Sequence, residues 1–177
     1  MRILAISGSL RTGSSNTRAI EALARLAPGD VEIIIYRELG QLPHFNPDLD
    51  TDSPPAPVQA LRREIGLCDG LIICSPEYAH GVAGVMKNAL DWLVGSLEFS
   101  GTPVALINAS PRATLAQAHM FGTLEVMGAR LVDAASIAIP LQGVSLTSDE
   151  IAADPTLGPK LRGLLETFAE AIRTPPS

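Results

Sequence analysis

Short apolar runs alternate along this chain with longer stretches whose apolar residues recur every three or four positions. Residues 2–7 (Arg-Ile-Leu-Ala-Ile-Ser) make the first run and lead into Gly8-Ser9, which predicts a strand. Ile20, Leu23, Ala24 and Ala27 then share one helical face, and Pro28-Gly29-Asp30 ends it. Residues 31–36 (Val-Glu-Ile-Ile-Ile-Tyr) predict a second, β-branched strand. Residues 37–57 are polar, rich in Pro and Asp, and without a period. A connection of about twenty residues is long for a compact domain, so a functional role, an interface role or partial disorder is expected for it. Val58, Leu61 and Ile65 predict a second helix. Residues 70–75 are continuously apolar, as a strand buried on both faces of a parallel sheet must be. Val82, Val85, Met86, Ala89, Leu90 and Leu93 predict a third helix, and residues 103–108 a fourth strand. Ala116, Met120, Leu124 and Met127 predict a helix ended by Gly128. Residues 135–139 predict a fifth strand, and Leu157, Leu161, Leu164, Leu165, Phe168 and Ile172 the clearest amphipathic helix.

Strands alternating with helices pair in parallel through right-handed crossovers, with helices on both faces of the sheet. The expected fold is therefore α/β, a doubly wound five-stranded parallel sheet in the order 2-1-3-4-5. The length of 177 residues suits one domain, expected to span residues 1–177. Aromatic residues are only 4%, so the core must be aliphatic. A net charge of −6 argues against nucleic acid or an anionic membrane as the main partner. No apolar run approaches the ~18 residues of a spanning helix. The first ten residues lack the layout of a cleavable signal. Cys68 and Cys74 sit in apolar contexts without Cys-x-x-Cys spacing and read as buried thiols rather than a redox or metal pair. These features point to a cytoplasmic protein with no bound metal.

In such a sheet, ligands bind outside the carboxyl ends of the strands where the winding reverses, at strands one and three. Strand one runs into Gly8-Ser9-Leu10-Arg11-Thr12-Gly13-Ser14-Ser15-Asn16-Thr17. Small residues, hydroxyls, one guanidinium and a helix N-terminus suit a phosphate group. There is no Gly-Lys-Ser/Thr and no Gly-x-Gly-x-x-Gly, so neither a Walker loop nor a dinucleotide fingerprint is present. Strand three runs into Ser75-Pro76-Glu77-Tyr78-Ala79-His80-Gly81, a loop able to lay backbone amides along a flat ring. Strand four runs into Ser110-Pro111-Arg112-Ala113; Ser110 can cap the next helix, and Arg112 can meet a second phosphate or simply face solvent. Lys87, Asn88 and Asp91 read as helix-surface or interface groups rather than catalysts.

These residues resemble the NAD(P)H-dependent FMN reductases of flavodoxin-like fold, a family that includes quinone, azo and chromate reductases. Gly8-Ser9-Leu10-Arg11 with Ser14-x-Asn16 is similar to its phosphate-loop signature. Pro76-Glu77-Tyr78 followed by Gly84-x-x-Lys87-Asn88-Ala89-x-Asp91-Trp92 is similar to its flavin-loop signature, and Leu42-Pro43 and Asn46-Pro47-Asp48 also match. The resemblance runs over residues 1–140. It implies that Ser9, Arg11, Ser14, Ser15 and Asn16 bind the FMN phosphate. It implies that Pro76, Glu77, Tyr78, Ala79, His80 and Gly81 run along the isoalloxazine ring; Ser110, at the end of strand four beside them, is a further candidate for cofactor binding. The chain departs from many members at Ala79, where they have Asn, at Ala83, where they have Pro, and in its bulkier strand-four loop.

The activity implied is transfer of hydride from NADPH or NADH, through FMN, to a flat small-molecule acceptor such as a quinone or free flavin. No side-chain nucleophile is needed; His80 is the candidate acid. Homodimers or homotetramers are implied, with Trp92 and residues 42–50 as interface candidates. Two alternatives stand beside this reading: an FMN-binding electron carrier without direct NAD(P)H activity, and a flavin-free regulatory module.

Overall fold

The computed structural model describes residues 1–174. Its strands are β1 (Arg2–Ser7), β2 (Glu32–Tyr36), β3 (Gly70–Cys74), β4 (Glu77–Tyr78), β5 (Gly81–Val82), β6 (Pro103–Asn108), β7 (Arg130–Leu131) and β8 (Ile137–Ala138). Its helices are α1 (Ser15–Arg25), α2 (Ala56–Gly66), α3 (Gly84–Leu93), α4 (Thr114–Val126), α5 (Ser148–Ala153) and α6 (Leu157–Arg173). The main sheet is parallel, in the order β2-β1-β3-β6, with β7 and β8 both on the outer edge of β6. Taking β7 and β8 as two pieces of the fifth strand, the expected order is the one found.

The period of two along each strand divides the interior into two cores. Ile3 and Ala5 of β1, Ile72 and Cys74 of β3, and Ala105 and Ile107 of β6 pack with Ile20, Leu23, Leu161 and Phe168 of α1 and α6. Their alternates Leu4, Ile6, Leu71, Ile73, Val104 and Leu106 pack with Leu61, Ile65, Leu90, Trp92 and Leu124 of α2, α3 and α4. Every residue of β3 is buried, because helices cover both of its faces.

Four features differ from the sequence expectation. The fifth strand is split by a helical turn at Asp133–Ala135. An edge strand has one neighbour only, and at the break the Ser136 hydroxyl accepts the Leu106 N–H (3.0 Å), taking the place of a strand carbonyl. Val82 lies in a hairpin strand, and α3 starts two residues later. The long connection is not structureless: it carries helical turns at Leu39–Gln41 and Pro47–Leu49, with Leu39 and Leu42 buried. Pro43 O accepts from Trp92 Nε1 (2.8 Å) and Asn88 Nδ2 (3.0 Å), and Phe45 packs edge-on against Trp92. Trp92 is thus a core residue of its own chain, with no exposed surface to offer a partner, and Asn88 is the clamp for the loop. Finally, a short helix, α5, follows residue 147, closed by a Thr147–Glu150 capping box.

Candidate functional site

The tips of β1 and β3 approach so closely that Gly8 N–H donates to Cys74 O (2.9 Å). A Cβ on Gly8 would lie 2.3 Å from Ser75 Oγ, so only glycine fits here. Beyond it the chain turns through Gly13, at φ +70°, and enters α1. Ser14 caps that helix, its Oγ accepting the Asn16 N–H (3.2 Å). The first turn of α1 carries no acidic residue, so its partial positive charge is not offset from within. Ser7 and Thr17 hydroxyls meet at 2.9 Å and tie strand to helix. The Asn16 side chain is buried, its Oδ1 accepting from the Cys74 thiol (3.2 Å). Burial pushes that thiol well above its ordinary range, which keeps it protonated and donating.

Past β3, residues 77–82 fold into the β4–β5 hairpin. Its turn residues, Ala79 (φ 49°) and His80 (φ 61°), both adopt the left-handed conformation of a type I′ turn. Neither is a residue type that takes this conformation freely. What holds the turn is Glu77. One carboxylate oxygen accepts the Ala116 N–H (2.8 Å), and the other lies 3.2 Å from His80 Nδ1. Ala113, at the N-cap position of α4, offers no side-chain cap, so Glu77 caps that helix from another element. The Ala116 N–H holds the Glu77 carboxyl below the usual glutamate range, with a smaller contribution from His80 and against partial desolvation.

After β6, buried Asn108 knots the next loop: Nδ2 donates to Ala113 O (3.0 Å) and Gln117 Oε1 (2.7 Å), and Oδ1 accepts the Ser110 N–H (2.9 Å). Residues 141–146 are stitched over α1. Ser15 Oγ donates to Leu141 O (3.2 Å), and Arg18 donates to Val144 O (3.0 Å) and to Leu146 O.

These segments enclose a cleft of about 320 Å³. Of the residues expected from sequence, Ser9, Arg11, Ser14, Ser15, Asn16, Pro76, Glu77, Tyr78 and Ser110 line it. Ala79, His80 and Gly81 stand instead at the hairpin turn, outside this lining, with the His80 ring directed to Glu77. Ser75, Ala109, Arg112, Ala113 and Gln142 complete the lining. Gln142 had no motif around it, and only the fold of residues 141–146 over α1 brings it in. Among the described residues, no group of three or more His, Cys, Asp or Glu is placed to hold a metal ion, and no helix is long and apolar enough to cross a membrane.

The donor set fits FMN. Hydroxyls, a guanidinium and the unoffset N-terminus of α1 converge where a phosphate would be held, and the cleft opens from there toward the β4–β5 hairpin.

Comparison with known proteins agrees with this chemistry. Residues 1–143 match the family model for NADPH-dependent FMN reductase. A 2-hydroxy-1,4-benzoquinone reductase from Burkholderia sp. is 38% identical over 128 residues, 69% of this chain and 69% of its own. An NAD(P)H-dependent FMN reductase of Pseudomonas aeruginosa is 36% identical over 129 residues, 70% of this chain and 69% of its own. Among solved structures, a flavoenzyme NAD(P)H:(acceptor) oxidoreductase from Paracoccus denitrificans superposes with a TM-score of 0.80 at 30% identity, covering 97% of each chain. With a flavodoxin-like fold, a cleft lined by hydroxyls and guanidiniums at the winding reversal and relatives of one chemistry, this chain belongs to the NADPH-dependent FMN reductase family, oxidoreductases that use FMN with NAD(P)H as electron donor.

Proposed function

We propose that Arg11, Ser9, Ser14, Ser15 and Asn16 hold the FMN phosphate, and that a quinone-type small molecule is the electron acceptor. The observation that carries this reading is the N-terminus of α1. Its first turn lacks an acid, its cap hydroxyl already accepts from Asn16 and so keeps its own proton free to donate, and Arg11 forms no ion pair among the described residues. The names of the quinone and FMN reductase relatives support the acceptor class. Bound FMN would supply hydride acceptance from NAD(P)H and onward electron transfer.

The chain's own part is to bind, orient and shield. The Cys74 thiol holds the Asn16 amide in one orientation beneath the phosphate loop. Pro76, Glu77 and Tyr78 border the cleft on the strand-three side, and Ser110 does so on the strand-four side. Glu77 is occupied as a helix cap, so it orients the hairpin rather than moving a proton. His80 is tied to Glu77 at the turn, so its part is to steady that turn. Residues 1–177 act as one domain in a cytoplasmic homodimer or homotetramer. The outer surface of residues 42–50, where Leu49 is exposed, is available for the subunit contact, while Trp92 beneath it is not.

Purified protein mixed with FMN and freed of excess should keep the flavin spectrum. Anaerobic NADPH should then bleach it. Bound FMN that NADPH leaves oxidised would identify an electron carrier instead, and absence of FMN binding at micromolar concentration would end the reading. Light scattering of the eluted peak measures the subunit number.

A further inference from the structure

The cleft is lined by cations from two separate loops. Two guanidiniums line it, Arg11 on the phosphate loop and Arg112 on the strand-four loop. Among the described residues neither forms an ion pair. The one carboxylate in the lining, Glu77, is engaged on both oxygens by Ala116 N–H and His80, so it neutralises neither.

Arg112 is exposed, yet it is not simply a solvated surface arginine. Its Nη2 lies 3.5 Å from Gln142 Oε1, the same oxygen that accepts from Ser110 Oγ at 2.6 Å. Gln142 is in turn placed by its neighbour Leu141, whose carbonyl accepts from Ser15. An amide oxygen steadies a guanidinium without cancelling its charge, as a carboxylate would. On a chain of net charge −6, such a locally positive cleft draws anions in preference to the surrounding surface.

We infer that Arg112, steadied by Gln142, is the specificity-determining cation of the cleft, favouring electron acceptors that carry an ionised oxygen over neutral acceptors of the same shape. The inference rests on the FMN reading, which assigns Arg11 to the flavin phosphate and leaves Arg112 facing the second reactant. A planar acceptor with an ionised ring hydroxyl or carboxylate can take two charge-assisted hydrogen bonds from the guanidinium fork. A neutral ring gains neither.

The test uses FMN-loaded, oxidised protein and two naphthoquinones of nearly equal size: lawsone, whose ring hydroxyl is ionised at neutral pH, and menadione, its uncharged methyl counterpart. Calorimetric titration gives a Kd for each. Lawsone should bind more tightly, and its advantage should shrink as salt is added. Arg112→Gln should reduce the lawsone-to-menadione preference at least about tenfold, because both charge-assisted bonds are lost and the amide returns at most one neutral one. Arg112→Lys should keep part of it. Gln142→Glu, which sets a carboxylate beside the guanidinium, should reduce it as Arg112→Gln does. A preference unchanged in Arg112→Gln, or both Kd values moving together, overturns the inference while FMN binding still stands. A shift in the NADPH-to-NADH preference with none for lawsone also overturns it, placing Arg112 on the nucleotide phosphate. Failure to load FMN at all removes the underlying reading and this one with it.

Discussion

Two loops border the cleft and are held in opposite ways. The loop after β1, residues 8–17, takes much of its shape from neighbouring side chains: Ser14 caps its own helix, and Ser7 meets Thr17 across the turn, while Gly8, Asn16 and Ser15 add single bonds to Cys74 and Leu141. The β4–β5 hairpin has two residues in an unfavourable conformation and draws its support from α4, a helix thirty-nine residues away through the Glu77–Ala116 bond. A loop supported locally can be read from its residue types. A loop supported from elsewhere is legible only when its partner is in view, and it ties the shape of the cleft to the position of that partner.

That contrast can be broken experimentally. The largest effect is expected at Gly8→Ala, where the added carbon meets the Ser75 side chain. It should cost about 2 kcal/mol of stability in chemical denaturation and weaken FMN binding. Adding Ser75→Gly should restore much of both, because it removes the colliding atoms; no recovery would mean that the glycine serves backbone conformation alone. Next comes Arg11→Ala, which should weaken FMN about tenfold and riboflavin little, since only FMN carries the phosphate. Equal weakening of both flavins in fluorescence titration would take Arg11 out of that role.

A smaller effect is expected from Glu77→Gln, and it should depend on pH. The Glu77 carboxyl is held below its ordinary range in the folded state. Its contribution is therefore present above the unfolded-state value and is lost as pH falls through the folded one. The melting temperature of the variant should lie below that of the parent at neutral pH, and the two should converge in acid. A gap that persists or widens in acid would show that charge is not what caps α4. The smallest effect is expected at Ala79→Gly, where relief of the positive φ should stabilise the protein by at most about 1 kcal/mol. A lower melting temperature would mean that the alanine methyl has a packing role that outweighs the strain.

Much of the fold was legible because alternation and helical period are local properties of the chain. The all-apolar residues 70–74 could only be a central strand, and Leu161 to Phe168 could only be one face of a helix. Val82 belongs to the hairpin and not to the helix; the period does not separate the two, because an apolar residue two positions before a helix fits the helical period equally well, and two-residue strands have no period of their own. The long connection looked structureless because its anchors, Leu39, Leu42 and Phe45, are spaced for docking onto α3 rather than for a regular element. The Thr147–Glu150 capping box was readable, yet it sits in a segment with no other landmark.

By itself the sequence determined the order of the main-sheet strands and the five longer helices, the residue types at the strand ends, and the family the chain belongs to. Those follow from nearest neighbours: hydroxyls and glycines at a strand end, apolar residues at a fixed period. Only the tertiary structure decided that Trp92 is core, that Glu77 is a helix cap rather than a free acid, and that Gln142 stands beside Arg112 in the cleft. Each of these depends on contacts between residues 30 or more positions apart. No local pattern encodes such contacts, because they form only once the two cores have brought the helices and strand ends together.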